Sequence, residues 1–256
     1  MLSKPFRFCL SVADGPMKLD FYPTFKAELY RYATFFTKEE GTITWLENTL
    51  RQDDIFYDVG ANLGLYSLFA AKLNKNIKTY AFEPHKLNFA SLINNVRDNG
   101  LLADIIPISI PLSDTAELTS LYYKSLYNGG SMNQLGHKND AFSGRDFPSS
   151  FEEIIYAMPM DAFAGSVIPF PTVVKIDVDG NELAILKGMT NVLSAPNKPR
   201  SIQIEINPGY KTSIVDLMNS YGYELDYCHY TSSADEWAEE LNSKDDVPHN
   251  AVFKLR

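Results

Sequence analysis

Apolar and polar positions along this chain follow two periods. From about residue 54, short apolar runs of strand length take turns with longer stretches whose apolar positions recur at helical spacing. "DIFYDVG" reads as a buried strand and "LGLYSLFAAKL" as a helix, while "IKTYAFEP" is a second strand stopped by Pro84. "KLNFASLINNVRDNG" is a helix closed by Gly100, and "DIIPISI" is a third strand. The rhythm resumes with "TVVKIDVDG" as strand, "NELAILKGM" as helix, "SIQIEIN" as strand and "TSIVDLMNSYG" as helix. "YELDYCHY" and "NAVFKLR" close the chain as strands. Apolar strands separated by helices predict an α/β fold with a doubly wound, mainly parallel sheet.

Two regions depart from this rhythm. The first 36 residues are aromatic, as in "LDFYPTFKAELYRYATFF", and read as a packed cap, with a lid or a homodimer surface as the functional alternative. Thr37 and Glu40 stand at capping-box spacing, and Ile43, Leu46 and Leu50 recur helically, so a helix is expected over about 38–50. Residues 1–50 are therefore set apart as an N-terminal cap and helix, and 51–256 as one compact domain. Within the latter, about 111–171 form an insertion: "ELTSLYYK" and "FEEIIYAMPMD" look like extra strands around the polar "NGGSMNQLGHKNDAFSGRDFPSS". A long polar segment inside a compact domain is usually functional or disordered. A second polar stretch, "TSSADEWAEELNSKDDVPHN", precedes the last strand.

A chain of 256 residues, 45% hydrophobic, is long enough to bury a full core. Its net charge of −9 and lack of a basic block argue against nucleic acid as a partner. Cys9 and Cys228 are distant and form no metal-binding pair, which fits a reducing compartment. No apolar run reaches membrane-spanning length and no signal peptide is read at the start, so a cytoplasmic location is expected.

The candidate chemistry begins at "DVGANLG", Asp58 to Gly64. In an open α/β sheet, ligands bind beyond the carboxyl ends of the strands. A glycine at Gly60 lets backbone approach a ligand, and the helix behind offers free N–H groups. Glu83 ends the next strand at about the 20-residue spacing at which an acid meets a ribose diol. Together these point to an adenosine-containing ligand. The middle glycine of a dinucleotide loop is replaced by Asn62, which favours S-adenosylmethionine over NAD. Asp58 and the Asn62 amide are expected at its amino-acid end.

"FYDVGANLGLYSL", "YAFEPHKLNFASLINNV", "IIPISIPLSD" and "VVKIDVDGNELAILKGM" resemble the FkbM-type methyltransferases in order and spacing, over about Asp54 to Asn207. The family more often has Glu where this chain has Asp179. The resemblance implies a Rossmann-like class I fold, S-adenosylmethionine as donor, and O-methylation of a sugar or natural-product hydroxyl. It leaves the acceptor unnamed. The cofactor set is then Asp58, Gly60, Asn62, Gly64, Glu83, Pro84, His85, Ser109 and Asp177.

For catalysis, Asp177 at its strand end is the first choice as base or hydroxyl anchor, with Glu205 and His137 in reserve. Asp179 shares the side of Asp177 if the strand continues. Glu182 reads as a helix N-terminal carboxylate. Tyr122, Tyr127, Ser131 and Asp179 are the acceptor-side candidates, aromatic faces suiting a sugar ring. Asp177, Asp179 and Glu205 would admit a divalent cation, although none is expected. His229 and His249 read as ordinary surface or strand residues. Two other functions are weighed: an NAD(P)-binding oxidoreductase, which lacks a nicotinamide half-site, and a non-catalytic S-adenosylmethionine-binding module.

Overall fold

Strand β3, Ile55–Val59, carries the sheet's logic. Alternate residues point to opposite faces. Tyr57 and Val59 enter one apolar core with Ile185, Leu186 and Met218. Phe56 enters a second core with Leu68, Phe69 and Leu92. Both faces are covered, as the continuous apolar strands require. The computed structural model describes residues 9–14, 17–74, 76–139, 145–232, 234 and 247–256.

The chain opens with a hairpin of β1, Leu10–Asp14, and β2, Met17–Phe21, followed by helices α1, Lys26–Ala33, and α2, Phe35–Lys38. Helix α3, Glu40–Thr49, leads into β3. Then come α4, Leu65–Leu73, β4, Lys78–Phe82, α5, Lys86–Asp98, and β5, Ile105–Ile108. The insertion supplies β6, Glu117–Tyr123, β7, Gln134–Leu135, and β8, Phe151–Ala157. After β9, Val173–Ile176, follow α6, Glu182–Lys187, α7, Thr190–Ser194, β10, Ser201–Ile206, and α8, Lys211–Ser220. The chain closes with β11, Tyr223–His229, and β12, His249–Leu255.

Seven strands form one sheet in the order β11-β12-β10-β9-β3-β4-β5. Neighbours β10, β9, β3, β4 and β5 are parallel, and β12 runs antiparallel between β10 and β11. The dinucleotide-binding order ends without such an inserted strand. The chain runs outward from β3 through β4 to β5 and then returns to β9 on the other side of β3. The order therefore reverses between β3 and β9, where an open α/β sheet opens its ligand crevice.

Leu19, Phe21, Tyr32 and Phe35 from the N-terminal segment share the second core with α4 and α5. The expected capping box at Thr37 is not formed. Helix α3 starts at N-cap Glu39 without a side-chain cap, and the Thr37 hydroxyl donates to the Thr34 carbonyl instead. The reciprocal bonds lie upstream, where Glu28 Oε2 accepts from the N–H of Thr24 at 2.7 Å and of Phe25 at 3.1 Å. The insertion builds its own antiparallel sheet, β7-β6-β8, with Leu121, Tyr123 and Ile155 on its inner face. No described helix is long and apolar enough to cross a membrane.

Candidate active site

A cavity of about 490 Å³ opens at the β3–β9 reversal. Helix α1, the loop after β3, the ends of β4, β9 and β10, the insertion and the start of β12 all contribute to its wall. The volume lies within the roughly 300–1,000 Å³ of small-molecule sites.

Gly60, Asn62 and Gly64 in the loop after β3 all have positive φ. Val59 pairs with Ile176, so Gly60 abuts the chain leaving β9. A Cβ on Gly60 would stand 1.7 Å from the Asp177 carbonyl oxygen. The sequence suggests a glycine kept bare for a ligand. The structure shows one kept bare for the neighbouring backbone. Gly64 packs instead toward α5, where a Cβ would meet Leu92 Cδ1 at 2.2 Å.

Strand parity turns Asp58 away from the cavity and toward α4. It is fully buried and accepts from the Ser67 hydroxyl at 2.6 Å. Burial pushes its pKa up, partly offset by Lys175 and Ser67. Asp58 therefore supports the loop from beneath and does not itself line the cavity, which corrects its placement at the cofactor's amino-acid end. Glu83 does line it. Its Oε2 accepts from the Asn62 N–H at 2.7 Å and its Oε1 from the His85 N–H at 2.9 Å, joining the glycine loop to α5. Burial raises its pKa to about 7.

Pro84 and His85 also reach the wall. His85 is the N-cap of α5: Nδ1 accepts from the Asn88 N–H at 3.2 Å, and Nε2 contacts the Ser125 carbonyl at 3.1 Å. That pairing assigns the neutral tautomer with the proton on Nε2, in keeping with a pKa lowered by burial. Ser109 stops short of the wall, which begins at Ile110.

The opposite wall is acidic. Asp177 accepts from the buried Lys175 ammonium at 2.7 Å. Burial pushes the Asp177 pKa up, but Lys175 outweighs it and the net shift is downward. Asp177 is thus a fixed anion, poorly suited to serve as a base. The strand does not continue past it: Asp179 has φ 61°, and its Oδ2 accepts from the Met132 N–H at 2.6 Å. Glu182 accepts from the N–H groups of Val178 at 3.1 Å and Gly180 at 3.0 Å, both in the turn that precedes α6. Glu205 lines the cavity from the end of β10. The acids Asp177, Asp179 and Glu205 share this wall but hydrogen-bond to different partners, Lys175, Met132 and Asn207. Among the described residues no three His, Cys, Asp or Glu side chains are arranged to hold a metal.

The insertion delivers Gly129, Gly130, Ser131, Asn133, Gln134 and Leu135 to the wall. The Gly130 carbonyl accepts from Asn62 Nδ2 at 3.0 Å and Asn88 Nδ2 at 2.9 Å, and the Gly129 carbonyl from Arg31 Nε at 2.7 Å. Asn128 reaches Ser91 at 2.8 Å and Glu28 at 3.2 Å. The other acceptor-side candidates are not brought in. Tyr122 lies on the insertion's outer sheet face under the Lys138 ammonium, 4.7 Å from its ring centroid. Tyr127 is exposed outside the wall, and so is His137, which removes it as a base held in the cavity.

Several wall residues carry no recognised motif. Ala27, Arg31, Thr34 and Lys38 share one face of the N-terminal helices, a stripe at helical spacing that puts two cations in an aromatic segment. Lys175 was legible in principle, because a lysine inside an apolar strand must be paired. Its ammonium also sits 4.9 Å from the Tyr66 ring centroid, and Tyr66 donates to Glu39 at 2.8 Å. His249, on the last strand, lines the cavity as well.

The chain is similar to several known proteins. The hexuronic acid methyltransferase AglP of Haloferax volcanii is 29% identical over 173 residues, 67% of this chain and 63% of that protein, so less than two thirds of the relative's length is spanned. The 31-O-demethyl-FK506 methyltransferase FkbM of Streptomyces tacrolimicus is 25% identical over 69% of this chain and 75% of its own. In fold, the FkbM methyltransferase of Methylobacillus flagellatus superposes with a TM-score of 0.51 at 18% identity, covering 80% of this chain and 45% of that one. Residues 58–225 match the family model of the methyltransferase FkbM domain, and the chain belongs to that family.

Proposed function

We propose that this protein is an S-adenosylmethionine-dependent O-methyltransferase acting on a hydroxyl of a carbohydrate-like or natural-product acceptor. The observation that carries the reading is the cavity at the strand-order reversal, with the Glu83 carboxylate on one wall and a row of acids on the other. The residues present suit the donor. Glu83 offers lone pairs to a ribose diol. Asn62 Oδ1 is buried beside the cavity without a hydrogen-bond partner, ready for an ammonium. The N-terminus of α4 has no side-chain cap, leaving N–H groups for a carboxylate. When bound, S-adenosylmethionine supplies an electrophilic methyl group on a cationic sulfur, and the acidic wall complements that charge.

The protein's own part is to orient the acceptor hydroxyl and exclude water. Well-oriented reactants gain about 7–11 kcal/mol over free encounter. The hexuronic acid named for the Haloferax relative and the FK506 derivative named for the Streptomyces one support a sugar or natural-product hydroxyl here. The free thiols of Cys9 and Cys228 agree with a cytoplasmic setting. The test is transfer of labelled methyl from S-adenosylmethionine to methyl glycosides of hexoses and hexuronic acids and to polyketide alcohols. An alkali-stable labelled ether is the expected product. Label only in alkali-labile ester, or none in any acceptor, contradicts the reading.

A further inference from the structure

We propose that Glu205 is the carboxylate that takes the proton from the acceptor hydroxyl, while Asp177, locked to Lys175, provides a fixed charge. This rests on the methyl-transfer reading above. Among the described residues five carboxylates line the cavity: Glu39, Glu83, Asp177, Asp179 and Glu205. Four are engaged. Glu39 accepts from the Tyr66 hydroxyl at 2.8 Å, with Lys38 Nζ at 3.6 Å. Glu83 holds two backbone N–H groups, Asp177 holds Lys175, and Asp179 holds the Met132 N–H. Glu205 has one long contact, 3.5 Å from Asn207 Nδ2, and no ion pair among the described residues. It is the one of the five with no hydrogen bond shorter than 3.5 Å among the described residues, so it is the least committed to the protein's own donors.

The placement follows from β10. Ile202, Ile204 and Ile206 enter one core. The other face carries Ser201, which accepts from Trp45 Nε1 at 3.0 Å, and Gln203, which donates to Thr42 at 3.0 Å. Glu205, one pleat further, passes the start of α3 and meets the cavity. Burial and the charges of Asp177, Asp179, Glu182 and Glu39 push its pKa well above the ordinary carboxylate value. That makes it a stronger base than an exposed glutamate. A further titratable wall group at this end, His249, has its Nδ1 on the Val247 carbonyl at 3.1 Å.

In the step, the acceptor O–H proton passes to a Glu205 oxygen as the acceptor oxygen bonds to the methyl carbon. The carbon–sulfur electron pair leaves with sulfur, which becomes neutral. The products are the methyl ether, the neutral thioether and protonated Glu205.

Wild type, Glu205→Gln, Glu205→Asp and Asp177→Asn are compared for labelled-methyl transfer to the methyl hexosides and hexuronides across pH. Calorimetry with S-adenosylmethionine checks that each variant keeps its binding site. Glu205→Gln is expected to lose at least about 100-fold in kcat with donor affinity retained. Wild-type kcat should rise with pH along a limb above the ordinary carboxylate range. Glu205→Asp should keep a limb at reduced rate. A Glu205→Gln rate within about threefold of wild type, or the same acid limb persisting in that variant, overturns the assignment and moves the base to another group such as His249. If wild type transfers to no acceptor while every variant binds the donor, the methyl-transfer reading itself fails, and this assignment with it.

Discussion

At Gly60 two constraints coincide, a left-handed backbone and a neighbouring carbonyl 1.7 Å from where a Cβ would sit. Gly60→Ala should cost about 2–5 kcal/mol of stability from αL strain and overpacking, read by denaturant unfolding. An unchanged midpoint would mean the two strand exits can part freely. Glu182 gives a pH prediction. Burial raises its folded pKa to about 7 from 4.5. The folded state then holds the extra proton, so this group's contribution to stability is fully present below pH 4.5 and is lost as pH rises toward about 7. Melting curves of Glu182→Gln and wild type should diverge across that window, the variant gaining relative to wild type. Parallel curves would contradict the raised value. At this scale the sequence pointed to Glu83, Asp177, Asp179 and Glu205, which reach the cavity, and to Asp58, which does not, but not to their states. Asp177 looked like a base because the lysine two positions before it was read only as part of a strand. Its pairing with Asp177 depends on both side chains lying on one face of the sheet.

Among the elements, the insertion is where reading from sequence reached least far. Its polar composition left a functional or a disordered segment open, and Gly129 to Ser131 and Asn133 to Leu135 line the cavity. Which residues turn inward depends on contacts far apart in the chain. Asn88 on α5 donates to Gly130 and accepts from the Gly129 N–H at 2.8 Å. No local pattern marks such a pair. Asn88→Ala should lower kcat/KM for the acceptor by the equivalent of about 1–3 kcal/mol, the cost of leaving those backbone groups unpaired, and should affect donor affinity less. Equal losses for donor and acceptor would tie this segment to the cofactor alone. Past Leu135 the insertion leaves the wall: His137 to Asn139 are exposed away from it, and 140–144 lie outside the described residues. The N-terminal helices were legible as aromatic packing, yet their cationic stripe was not, since its meaning appears only once α1 lies across the cavity.

For the whole molecule, the strand–helix rhythm was enough to read a doubly wound sheet, while the antiparallel place of β12 was not, because strand order is a long-range property. The far edge of the sheet is fastened by Asp54, which accepts from Arg200 Nη1 at 2.8 Å, the Arg51 N–H at 2.6 Å and the Thr172 hydroxyl at 2.8 Å. These bonds tie the starts of β3, β9 and β10 together. Asp54→Ala should cost about 3–5 kcal/mol, since Arg200 loses its partner, with little change in donor affinity because the clamp lies at the opposite end of the strands. The central claim is that the other end, at the β3–β9 reversal, holds S-adenosylmethionine with Glu83 on its wall. Calorimetric titration of wild type and Glu83→Ala with S-adenosylmethionine, and with NAD as competitor, tests it most directly. The account predicts saturable S-adenosylmethionine binding to wild type, no displacement by NAD, and a loss of about 1.5–3 kcal/mol in Glu83→Ala. Unchanged affinity in that variant, or displacement by NAD, would contradict it.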